Sequence, residues 1–88
     1  MRIIWDEKKN KENVLKHSIS FNEAETVFYD PNGKLIGDPD HSEEEDRFII
    51  LGLSKKLYLL VVCHCYKEND EVIRIITARK ATKKECKL

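Results

Sequence analysis

Eighty-eight residues bound the chain to one domain, 1–88, with a core small enough to leave stability marginal. A composition of 41% hydrophobic and 36% charged residues excludes a disordered tail, and the longest apolar run, Leu57 to Cys63, is too short to cross a membrane. The formal net charge is zero but segregated: HSEEED at 41–46 is acidic and ARKATKKECK at 78–87 is basic, so one end of the molecule is suited to a polyanion.

In chain order, the opening MRIIWDEKK lacks the apolar core of a signal peptide, and three cysteines make an odd number, so a reducing cytoplasm is the expected compartment. RIIW reads as a short strand, and Asp6 as the N-cap of a helix over EKKNKENVLKH. Only Val14 and Leu15 are clearly apolar there, which predicts a narrow core-facing stripe. SFNE reads as a capping box, with the Ser20 hydroxyl accepting from the Glu23 amide and the Glu23 side chain reaching back to the Ser20 amide. The helix it starts carries Phe21, Ala24, Val27 and Phe28 on one face.

DPNG at Asp30 to Gly33 is a turn, KLIG a short strand, and DPDHSEEED a longer polar break. RFIILGLS, LYLLVVCHCY and VIRIITAR then read as three strands joined by Lys55–Lys56 and by KENDE, an antiparallel meander whose unalternating middle strand is covered on both faces. TKKE, Thr82 to Glu85, is a second capping box that opens a short C-terminal helix. The expected fold class is α+β: two N-terminal helices packed on the meander, with that last helix beside it.

A two-residue turn at Lys55–Lys56 sets Arg47 opposite His64, and a turn centred on Asn69 sets His64 opposite Arg74, which predicts one row across three strands. Such a row can hold a phosphate between guanidinium forks beside an imidazole that moves a proton. The alternative is a core or rim histidine, with the arginines paired to the acidic run. Arg79 has the opposite parity to Arg74, so it joins that face only through a bulge or the end of the strand near Ala78. Lys80, Lys83 and Lys84 then form a basic lip for RNA backbone, or else a solvated helix face.

Cys63, His64 and Cys65 suggest a metal, but no second pair has ligand spacing, and buried free cysteines in a central strand explain CHC better. No metal and no cofactor are expected. His17 ends a helix, where the dipole favours a cation whatever its function, and His41 lies in the acidic break with a partner-facing or structural role. There is no phosphate-loop glycine pattern, serine-nucleophile motif or HExxH.

WDEKKNKENVLKHSISFNEAETVFYDP, DPDHSEEEDRFIILGLS, LLVVCH and IRIITARKATKKE, in that order over nearly the whole chain, resemble the BrnT family of bacterial toxins. That resemblance implies a fold similar to the RelE and ParE toxins and ribonuclease activity that inhibits translation. It also implies a BrnA-type antitoxin partner, through which alone operator DNA is bound. A histidine between two arginines fits metal-independent RNA cleavage, with His64, Arg47, Arg74 and Arg79 as the expected catalytic set. A non-catalytic nucleic-acid-binding or partner-binding module is the alternative. Too little helix is available to cover the sheet, so some of Ile49, Leu51, Leu60, Val62 and Ile76 are expected partly exposed beside the cationic row, where an antitoxin segment lies.

Overall fold

The structure, a computed structural model, describes residues 1–37 and 47–88; the acidic run with His41 lies outside the described residues. The elements are β1 (Arg2–Ile4), α1 (Glu7–His17), α2 (Phe21–Thr26) running into a 3-10 turn (Val27–Tyr29), β2 (Lys34–Gly37), β3 (Arg47–Leu53), β4 (Leu59–Lys67) and β5 (Val72–Lys80), with a final 3-10 turn (Glu85–Lys87). They form an α+β fold on a five-stranded sheet of order β1-β5-β4-β3-β2. The expected meander is there, but the sheet is mixed, because β1 pairs parallel to β5.

Local signals set the helix ends. The Asp6 carboxylate accepts from the Lys8 amide at 3.0 Å, and α1 stops where Ser18 turns left-handed at φ 60. Ser20 accepts from the Glu23 amide at 3.1 Å as expected, but the other half of that box does not form. Glu23 instead turns inward and accepts from the Ser54 hydroxyl at 2.7 Å, fastening α2 to the end of β3.

The core lies between the helices and one sheet face: Ile19, Phe21, Ala24 and Val27 against Ile50, Leu60, Val62, Ile75 and Ala78. Burying a side chain such as Phe21 contributes about 1.5–3 kcal/mol. α1 does not dock as its apolar residues suggest. Val14 and Leu15 are exposed, and the buried residues are Asn10 and Asn13. The Asn10 side-chain oxygen accepts from the Phe21 amide at 2.8 Å, and Asn13 bonds both Ile19 and Ala78. Paired polar groups replace the apolar stripe, their hydrogen bonds offsetting the cost of desolvation.

The Asp30 carboxylate ties the 3-10 turn to β3, accepting from the Leu53 amide at 2.8 Å and the Asn32 amide at 3.0 Å, and these bonds hold its pKa below the ordinary carboxylate value. Gly52 permits that approach: a Cβ there would sit 3.0 Å from Val27 and 3.1 Å from the Asp30 carboxylate.

Candidate functional site

The β3–β4 connection decides which residues share a face. Ser54 bonds Tyr58 at 2.9 Å, so the turn holds three residues, with Leu57 left-handed at φ 67, where a two-residue turn was expected. The pairing shifts by one: Arg47 lies opposite Cys65, and His64 opposite Phe48. Across the next ladder Cys65 pairs with Arg74, and His64 with Ile75. The expected Arg47–His64–Arg74 row is therefore corrected to Arg47–Cys65–Arg74, because one residue of slip exchanges the two faces of the sheet. Among the described residues neither α1 nor α2 packs on this second, open face, although Leu51, Val61 and Cys65 are buried on it.

His64 belongs to the helix side and is 0% exposed. Its ring meets Phe28 edge-on at 4.8 Å and Tyr66 at 5.4 Å, and Phe48 lies beside it. Nδ1 lies 3.1 Å from the Val62 carbonyl, while Nε2 is buried with no hydrogen-bond partner among the described residues. Burial pushes its pKa below the ordinary 6.5, with the Val62 carbonyl opposing weakly. A neutral imidazole in an aromatic pocket is not positioned to touch a phosphate on the other face.

Arg79 does come round to the open face. Cys63 pairs with Thr77 and His64 with Ile75, so Ile76 is an extra, bulged residue, and Val61 pairs with Arg79 on the side that carries Cys65 and Arg74. Its guanidinium is already occupied. Glu85 receives both of its ends, at 2.7 and 2.9 Å, which raises the arginine's pKa and pulls that of Glu85 down to about 2. The Thr82–Glu85 box supports this clamp, with the Thr82 amide donating to Glu85 at 2.8 Å and the Glu85 amide to the Thr82 hydroxyl at 3.2 Å. Beyond it the chain makes only a 3-10 turn, in place of the expected short helix.

Lys83 and Lys84 are exposed on the turn before it, and the Lys80 ammonium sits 4.3 Å from the centre of the Tyr58 ring. Of the apolar residues expected on the open face, Leu60 and Val62 are fully buried under the helices, since the register puts them on the His64 side. Leu51 and Ile76 are buried as well, so of the five only Ile49 is partly exposed; Ile36 and Ile4, on the edge strands, are exposed. Cys63 and Cys65 share the open face, and no three His, Cys, Asp or Glu side chains gather as metal ligands among the described residues. No helix among them is long and apolar enough to cross a membrane.

The surroundings of Arg74 were not legible in the sequence. The parallel edge strand sets Ile4 opposite it, and a cleft of about 470 Å³ opens there, lined also by Trp5, Lys67 and Val72. The Arg74 side chain makes no hydrogen bond or ion pair with any described residue, whereas Arg47 and Lys67 have partners.

A family model for the ribonuclease toxin BrnT of type II toxin-antitoxin systems matches residues 5–85. The chain belongs to this BrnT family. It is also similar to the crystal structure of the Brucella abortus ribonuclease toxin BrnT, with a TM-score of 0.73 and 26% identity over 94% of this chain and 99% of that one. No curated protein is close enough in sequence to match. Within the BrnT family the chain is thus a ribonuclease toxin of a type II system, for which an antitoxin is the implied partner.

Proposed function

We propose that this chain is a cytoplasmic endoribonuclease of RelE/ParE-like kind that cleaves RNA without a metal ion, inhibits translation, and is neutralised by a BrnA-type antitoxin that carries the binding to operator DNA. Family membership supports the class. The observation that carries the site is the pairing of Arg47 and Arg74 with Cys65 on the sheet face opposite α1 and α2. Two strand spacings root these side chains about 10 Å apart, within reach of one phosphate.

RNA cleavage of this type forms a bond from the 2′-oxygen to phosphorus, releases the 2′-hydroxyl proton, and breaks the bond to the 5′-oxygen, which takes up a proton. Between these steps the phosphorane carries extra negative charge. Arg47 and Arg74 stabilise that charge, with water as the proton carrier, because His64 is buried on the other face. Lys83 and Lys84 hold flanking backbone, whereas Lys80 pairs with Leu60 on the helix side of the sheet and sits over Tyr58. Arg79 serves as a further cation only when Glu85 leaves it, and otherwise positions the C-terminal turn.

Antitoxin binding on the open face would cover Ile36 and Ile4 and set carboxylates beside the arginines, so that neutralisation competes directly with RNA. The test is incubation of purified, antitoxin-free protein with RNA in EDTA. Cleavage products support the reading. Salt-sensitive binding with no cleavage would leave a non-catalytic nucleic-acid module instead.

A further inference from the structure

The cleft beside Arg74 has a composition that neither a phosphate track nor a protein-docking face requires. One wall is apolar: Ile4, 38% exposed, stands in register with Arg74, and Val72 lies buried behind it at 3%. Two cations, Arg74 and Lys67, line the cleft beside Ile4. Two carboxylates, Asp6 and Glu68, complete the lining. Asp6 accepts from the Lys8 amide at 3.0 Å, and Glu68 faces Arg2 across 3.6 Å. These carboxylates repel a second phosphate but can accept from N–H groups on the edge of a base. The volume, about 470 Å³, falls within the roughly 300–1,000 Å³ typical of small-ligand sites.

We propose that this cleft is the subsite for the nucleobase next to the phosphate bound by Arg74, the base packing against Ile4 and the guanidinium plane with its N–H edge toward Asp6 and Glu68. The inference rests on the ribonuclease reading and deepens it. Flat guanidinium stacking and apolar contact are how single-stranded RNA bases are held, and they need an arginine not committed to a carboxylate. The Arg74 side chain meets that requirement among the described residues, and Arg79 does not.

Trp5 lines the cleft and is the single tryptophan, so its emission reports on occupancy. The probe is a single-stranded tetranucleotide with 2′-deoxy sugars, which lacks the attacking hydroxyl, titrated into the full chain while anisotropy of a labelled copy measures binding independently. The expected result is a saturable change in Trp5 emission that tracks the anisotropy. Ile4→Glu should weaken binding about tenfold, the loss of one base's contact. Arg74→Lys, which keeps the charge but not the plane, should weaken it similarly while leaving the salt dependence intact. Ile4→Ala, milder for the edge strand, should give a smaller loss in the same direction, and circular dichroism melting verifies that each variant folds.

Binding with unchanged Trp5 emission, or with folded variants that bind as tightly as the parent, overturns the cleft. Cleavage of ordinary RNA in EDTA is scored separately. Cleavage with a silent Trp5 removes the subsite and keeps the ribonuclease, whereas a responsive Trp5 without cleavage keeps the subsite and removes the ribonuclease. A chain that neither binds nor cleaves overturns both.

Discussion

The carboxamide of Asn13 takes both backbone groups of Ala78, donating to its carbonyl at 2.8 Å and accepting from its amide at 3.1 Å. β1 pairs with β5 only from Val72 to Arg74, so beyond it a helix side chain satisfies the edge that a strand would otherwise occupy. The same nitrogen reaches the Ile19 carbonyl at 2.8 Å. Asn13→Leu keeps the branched outline of the side chain and orphans three buried groups. It should cost about 3 kcal/mol, a fall in melting temperature of roughly 10–20 °C for a domain this size. A leucine variant as stable as the parent would mean that water replaces the carboxamide.

His64 should behave as a core residue. His64→Ala is expected to lose about 2–4 kcal/mol by leaving a cavity among Phe28, Phe48 and Tyr66. His64→Phe should fold and retain cleavage; a general base would lose about 10²- to 10⁴-fold, and such a loss in the folded variant would restore the histidine to the chemistry.

That burial also fixes a pH dependence. The folded pKa of His64 is lowered, so the unfolded chain binds the proton first as pH falls. Its stabilising contribution is complete above about 6.5 and declines as pH falls toward the folded value. Urea midpoints measured between neutral and mildly acidic pH should slope downward for the parent and less so for His64→Phe. Equal slopes would place the titration elsewhere.

For Glu85 the sign is that of a depressed carboxylate. Its contribution is present above the usual carboxylate range and lost only as pH falls through about 2. The pair with Arg79 is largely solvent-screened, so Glu85→Gln should cost under about 1 kcal/mol. The clearer readout is amide exchange, which should quicken at the Cys86 amide, bonded to Thr82 at 2.9 Å. If exchange there is unchanged, the clamp does not hold the C-terminal turn.

Arg74→Ala should lower the single-turnover cleavage rate about 100-fold, as removal of one charge-stabilising donor does, and Arg47→Ala about as much, both with melting temperatures near the parent's. Amide exchange with and without antitoxin should show protection of residues 47–53 and 72–80. Protection confined to the two helices would mean that inhibition acts from another surface.

Much of the local structure was legible because it is made by near neighbours. Asp6, Ser20 and Thr82 each satisfy an amide two or three residues away, and the apolar, β-branched runs of Arg47 to Leu53 and Val72 to Lys80 belong to each strand alone. The cations of the candidate site were legible for the same reason. Their arrangement was not. A left-handed Leu57 lengthens one turn and moves His64 off the Arg47 face, while a bulged Ile76 moves Arg79 onto the Arg74 face. The parallel docking of β1 brings Ile4 and Trp5 to Arg74 across most of the chain's length. Residue types and their short-range spacing thus determined the elements and the cationic character of the sheet. Register and the side on which His64 is buried were decided by contacts between distant segments, because the cost of a one-residue slip is felt only when both faces of the sheet meet their partners.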